Sequence, residues 1–178
     1  MLKLWLRAAN PFNAPRAMAE AQRAARVGTF GLLASGAVGA ISSLLTWLHP
    51  EWLAAIVANQ QAKMQMSAEQ AAMQSAMIGS IMPVALLASM VFGIALSLVL
   101  AWAQWKYMTR AIPIIVLAMF VYSMLIVLIA VATGQYNGRD SGYLILLGVS
   151  WAVQIVSAVL YVASLRGAFV LHRLKQEP

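Results

Sequence analysis

Four uninterrupted apolar stretches set the pattern of the chain: residues 27–48, 78–103, 111–133 and 143–165 contain no Asp, Glu, Lys, Arg or His. Each is long enough to cross a hydrocarbon core of about 30 Å, which takes roughly 20 helical residues. A charge at mid-span costs about 2.5–3.5 kcal/mol on insertion scales, so four clean windows predict four transmembrane helices. Lipid offers no partner to open backbone N–H and C=O groups, so each span must satisfy its own hydrogen bonds as a helix. The expected fold class is an all-α integral membrane protein whose four spans form a compact antiparallel bundle.

The polar intervals divide the rest. Residues 1–26 form an N-terminal segment, 27–165 the transmembrane domain with its long loop at 49–77, and 166–178 a basic tail. At the start, Leu2, Leu4, Trp5 and Leu6 are interrupted by Lys3 and Arg7. That run is too short and too charged for the apolar core of a signal peptide. It reads instead as an amphipathic helix lying at the membrane interface. After Asn10-Pro11 a second helix is predicted with Asn13 as its cap and Pro15 in its first turn, running directly into the first span. In the long loop, Trp52, Leu53, Ile56 and Val57 make an apolar face expected to rest on the outer interface. Ser67 followed three residues later by Gln70 resembles a capping box, predicting a helix from Ala68 that continues unbroken into the second span. Residues 134–142 read as a glycine-rich turn.

Within the spans, small residues recur every four positions. The first span carries Gly31, Ser35, Gly39 and Ser43; the second carries Ser89, Gly93 and Ser97, flanked by Ala85 and Ala101. Such stripes let helix backbones approach closely, which supplies van der Waals contact where no hydrophobic effect operates. The two faces are expected to pack on each other or on a partner helix. Gln154, read as the one amide deep in a span, is assigned first to an interhelical hydrogen bond and second to a ligand contact. Pro83, one turn inside the second span, predicts a kink. Pro113 falls in a first turn, where proline is tolerated.

Charge then orients the bundle. Of twelve Lys and Arg residues, ten fall on one side of the four-span topology: Lys3, Arg7, Arg16, Arg23, Arg26, Lys106, Arg110, Arg166, Arg173 and Lys175. Lys63 and Arg139 fall on the other. Short cytoplasmic loops collect Lys and Arg, so both termini are expected in the cytoplasm, against an anionic inner leaflet. The net charge of +7 then needs no nucleic acid to explain it. High alanine content and the lack of cysteine fit a bacterial inner membrane.

Candidate chemistry is sparse. Intramembrane ionisable residues mark proton relays and ion paths, and the spans contain none. His49 and His172 lie at or beyond span ends, unsuited to holding a haem between helices. Without cysteine there are no disulfides, iron–sulfur clusters or thiol catalysis. No phosphate-binding glycine loop, H-E-x-x-H or G-x-S-x-G is present, so neither an enzyme nor a cofactor is expected. Met64, Met66, Met73 and Met77 sit in or beside the long loop, where thioether clusters can take Cu(I). Methionines filling a contact surface are the commoner case, and copper remains a minor alternative.

The layout resembles the bacterial members of the Yip1-domain family of polytopic membrane proteins. The resembling parts are Asn10-Pro11 before an amphipathic helix, the loop sequence Met66-Ser67-Ala68-Glu69-Gln70, and the stretch from Ala103 to Gly134 leading through Val121-Tyr122-Ser123. The Asp-Leu-Tyr-Gly-Pro signature of eukaryotic members is absent, and four spans are counted where the family commonly has five. The resemblance implies a membrane scaffold or adaptor and carries no catalytic residues across.

Three function classes follow: a scaffold or accessory subunit of a larger membrane assembly, a lipid- or small-molecule-handling protein, and a transporter or channel accessory. Small-residue faces left flat against lipid would favour the first. An apolar crevice near Gln154 would favour the second, and a continuous polar track the third.

Overall fold

The computed structural model describes residues 2–65, 67–136 and 139–176. Six helices follow one another: α1 (Leu2–Ala9), α2 (Met18–Leu48), α3 (Pro50–Met64), α4 (Ala68–Tyr107), α5 (Ala111–Ala132) and α6 (Ser141–Leu174). Among the described residues there is no strand. Four of the helices, α2, α4, α5 and α6, are long and apolar enough to cross a membrane. The protein is an all-α integral membrane bundle.

Local signals place most helix ends. The Ser67 hydroxyl accepts the Gln70 N–H while the Gln70 side chain accepts the Ser67 N–H, completing the capping box. From there α4 runs through Pro83 for 40 residues, about 60 Å at the helical rise, so one end stands clear of a bilayer. The Asp140 carboxylate accepts the N–H groups of Gly142 and Tyr143 and starts α6. Gly134 turns left-handed (φ 65°) just past α5, where its N–H and that of Gln135 take up the carbonyls of Val131 and Ala130.

Two expectations need correction. Asn13 does not cap a helix: its amide donates to the Arg7 carbonyl at 3.5 Å, and its N–H closes a turn onto Asn10. The helix starts at Met18 instead, because Pro15 disfavours helical geometry in the residue before it. The Glu20 carboxylate reaches back to the Arg16 N–H at 3.0 Å. The face Trp52, Leu53, Ile56 and Val57 is turned onto the protein itself. Leu53 and Val57 face α4, Ile56 faces the α5–α6 loop beside Gln135 and Arg139, and Trp52 packs edge-on to Tyr143 at 5.8 Å.

The packing centres on α2, which lies against both α4 and α6. Helix α5 leans on α6, and α4 and α5 scarcely touch although only Met108–Arg110 separates them in sequence. The bundle is antiparallel but not compact. Its buried residues gather at the end that holds the chain termini: Ala21, Ala24, Ala25 and Val27 from α2, Gln104 from α4, and Ser164, Ala168 and Leu171 from α6. The helices continue tightly packed for several turns beyond the clean apolar windows.

At that end α1 inserts Trp5 between Phe30 and Trp105, with ring centroids 5.6 and 6.1 Å apart, and leaves Leu2, Leu4 and Leu6 exposed. The basic residues collect around it. Arg26 lies over Trp105, Lys106 over Trp102, and Arg110 over Phe169, each about 5 Å from the ring centre. Arg166 donates to the Pro11 carbonyl and ties α6 to the N-terminal turn. Along α2, Phe30 at this aromatic collar and Trp47 near the other end are separated by about 26 Å. That spacing matches the hydrocarbon thickness between two interfacial aromatic belts.

Candidate functional site: a cleft opening to the side of the bundle

The closed end and the open end are built from the same kind of residue. A Cβ on Gly28 would come within 2.6 Å of the Ser164 hydroxyl, one on Gly31 within 2.8 Å of the Tyr161 ring, and one on Gly167 would strike the Ala24–Ala25 backbone. These glycines let α2 and α6 touch. A Cβ on Gly39, Gly93 or Gly148 would meet nothing within 4 Å. There α4 and α5 have drawn apart, while the Ser42 and Ser150 hydroxyls still join α2 to α6.

Between them lies a cavity of about 530 Å³, within the range of small-molecule sites. Its back wall is α2 and α6, and its sides are α4 and α5. Leu32, Leu100, Val116 and Tyr161 floor it at the packed end. It extends along α2 as far as Ser43, eleven residues from Leu32 and about 16 Å. Because α4 and α5 diverge, it opens sideways between them, toward the lipid.

Seven of the eight residues expected to pack helices line this cleft: Ser35, Gly39, Ser43, Ser89, Gly93, Ser97 and Gln154. Gly31 does pack, on Tyr161. The α2 and α4 faces meet at Thr29, whose hydroxyl donates to the Ala101 carbonyl, and near Gly36 and Ser97, where a Cβ on the glycine would clash with the serine; beyond that they line the cleft. Gln154 makes the expected interhelical hydrogen bond. Its Oε1 accepts from the Ser35 hydroxyl at 3.2 Å, tying α6 to α2, while the side chain forms part of the cleft wall. The Ser35 hydroxyl also lies 3.2 Å from the Tyr161 hydroxyl. Ser42 and Ser150 hydroxyls pair at 3.0 Å further along.

Other polar ties sit below the cleft. Gln104, in the last turn of α4 just beyond the apolar window, is fully buried and donates through Nε2 to the Ala25 carbonyl at 2.8 Å and the Ser164 hydroxyl at 3.1 Å. Ser164 in turn donates to the same carbonyl at 2.6 Å. This joins three helices through one backbone oxygen. Its position one residue past the apolar window of the second span made it read as a loop residue. Tyr161, Phe120 and Trp151, also in the cleft wall, carried no signal in the sequence beyond being aromatic residues within a span.

Elsewhere the predicted sites stay apart. Pro83 lies beside a smaller groove between α3 and α4 of about 320 Å³, lined also by Leu53, Val57 and Met82. Met64, Met73 and Met77 are exposed around the α3–α4 turn, and Met66 lies outside the described residues. At that far end His49 stacks on Trp52 with centroids 4.6 Å apart and meets Glu51 at 2.7 Å. The Glu51 carboxyl is held below its ordinary pKa, first by its own backbone N–H and then by the His49 side chain. Among the described residues no group of three or more His, Cys, Asp or Glu is placed to hold a metal ion.

No Asp, Glu, Lys, Arg or His lines the cleft. Chemically it offers an apolar cleft with hydroxyl and amide groups on its back wall. Fold and cleft together define a helical membrane protein with four spans and a side-opening cavity. Among known proteins, no family model, no curated protein and no solved structure matches the chain.

Proposed function

We propose that the protein binds a lipid or other membrane amphiphile in the cleft between α4 and α5, acting as a non-enzymatic handling protein of the bilayer. The observation that carries this reading is the 530 Å³ cavity around Gln154, which opens toward lipid and has an apolar, hydroxyl-studded wall. A ligand already dissolved in the membrane reaches such a site by lateral diffusion without crossing water. In this reading the ten basic residues face the cytoplasm, both termini included, and the membrane is the bacterial inner one. The cleft then spans the middle of the bilayer, from Leu32 beside the Phe30 collar to Ser43 short of Trp47.

A second reading as an accessory subunit or adaptor is supported by α5. This most apolar of the helices rests mainly on α6, with Ile115, Val121, Leu125 and Ile129 exposed. Such a face fits another membrane subunit as well as lipid, in keeping with the Yip1-like layout.

The test is purification of the tagged protein in gentle detergent, with mass spectrometry of everything that comes with it. The amphiphile reading expects a bound lipid that Gly93→Phe expels and Gly148→Phe retains, since only Gly93 lines the cleft while both positions have room. A stoichiometric protein partner without a cleft-dependent lipid would overturn it in favour of the subunit reading.

A further inference from the structure

The back wall of the cleft contains a hydrogen-bond chain whose direction can be worked out, and its direction selects the ligand. Tyr161 is only 2% exposed, and the Ser35 hydroxyl at 3.2 Å is the one partner of its phenol among the described residues. The Tyr161 hydrogen therefore goes to Ser35. Ser35 has a single hydrogen of its own, which goes to Gln154 at 3.2 Å. Gln154 must then present its oxygen to Ser35, and its Nε2 keeps two N–H donors with no acceptor among the described residues.

Some other donors on the wall are already used. Ser89 and Ser97 donate to the carbonyls of Leu86 and Ile94 in their own helix, at 2.8 and 2.9 Å. Ser42 and Ser150 share one hydrogen bond, and the Ser43 and Ser123 hydroxyls and the Trp151 indole N–H have no partner among the described residues. Of these groups only the Gln154 amide carries two unspent N–H donors beside the apolar space, and an unmade hydrogen bond there is costly. With no formal charge in the lining, a carboxylate, phosphate or ammonium would be left without a counterion. A neutral acceptor fits.

We infer that Gln154 is the specificity-determining residue of the cleft, donating through Nε2 to the carbonyl of an uncharged long-chain lipid. The chain lies along Leu100, Val116 and Met119, and the carbonyl sits beside Trp151. Two sources share this chemistry: the ester of a neutral glyceride and the ring carbonyl of an isoprenoid quinone. The inference rests on the proposed lipid-binding role of the cleft.

The test incubates the full-length protein in detergent with an equimolar mixture. It contains a diacylglycerol, its diether analogue without carbonyls, an isoprenoid quinone and a long-chain fatty acid. Retained lipid is then quantified by mass spectrometry. The wild type is expected to prefer diacylglycerol over the diether by about three- to tenfold, the worth of one hydrogen bond in a membrane interior. Gln154→Leu should abolish that preference, whereas Ser35→Ala, which leaves the amide donors in place, should keep it. Relative retention of glyceride and quinone identifies the source. Equal retention of ester and ether, both lost in Gly93→Phe, would overturn the carbonyl assignment while leaving the cleft as a binding site. Preference for the fatty acid would overturn the requirement for neutrality. Retention that Gly93→Phe does not change, in protein of unaltered helicity and elution volume, would overturn the cleft reading and this inference with it.

Discussion

The two ends of the bundle use nearly the same residues to opposite effect. At the end holding the termini, Gly28, Gly31 and Gly167 bring α2 and α6 into contact, and Gln104, Ser164 and the Ala25 carbonyl lock α4 onto the pair. Toward the other end, Gly39, Gly93 and Gly148 touch nothing, and the serines between them face a cavity. A small residue in a membrane helix permits close approach but does not compel it. What decides is whether the facing helix supplies something to meet: a buried amide and a matching glycine at one end, none at the other.

The most direct way to break the comparison is to add bulk at matched glycines. Gly167→Leu should destabilise the protein by about 3 kcal/mol or more, because the new side chain would be driven into the Ala24–Ala25 backbone rather than into a movable side chain. Gly39→Leu, projecting into open space, should stay within about 0.5 kcal/mol. Thermal unfolding in one detergent, followed by circular dichroism, reads both. Equal losses would mean that the two ends are packed alike.

Removing the amide lock comes next. Gln104→Leu should cost about 1–2 kcal/mol, since it keeps the volume but deprives the buried Ala25 carbonyl and Ser164 hydroxyl of a donor. Ser97→Ala, whose hydroxyl serves only its own helix, should be nearly silent in the same assay. A smaller effect, about 1 kcal/mol, is expected for Asp140→Ala, which removes the cap of α6 at the open end.

The smallest effect is one of pH. Glu51 has a folded pKa below its ordinary 4.5, so its stabilising contribution is fully present above that value and disappears as the pH falls through it toward the lower folded pKa. The loss should loosen the contact of His49 and Trp52 while leaving the Gln104 end unchanged. Trp52 fluorescence, isolated by replacing the other tryptophans with phenylalanine, should show an acid transition that Glu51→Gln abolishes. A transition that survives Glu51→Gln belongs to another group.

Much of this was legible in the chain. The four spans, the unbroken run from Ala68 into the second span and the Ser67–Gln70 capping box all depend on interactions within about four residues or on composition over about twenty. Such features leave a local mark. The Asn13 cap did not form because Asn10 starts a local turn, its side chain accepting the Phe12 N–H and its carbonyl the Asn13 N–H, while the Asn13 amide is spent on the Arg7 carbonyl. Gln104 was hidden because a polar residue one position beyond an apolar window looks the same whether it faces water or a buried carbonyl. Ser35, Gly39, Ser89 and Gly93 were expected to pack helices together or on a partner, whereas within this chain they line the cleft.

By itself, then, the sequence determined that this protein is a helical membrane bundle, where its spans lie and which end is basic, because lipid imposes length, apolarity and internal hydrogen bonding on every span independently. Only the tertiary structure decided that α4 and α5 part, and that the small-residue stripes line a cleft rather than a seam. The reason is physical: between helices already immersed in lipid there is no hydrophobic penalty for a gap, so closure depends on pairwise fits such as Gly167 on Ala24, and these no single helix can specify alone.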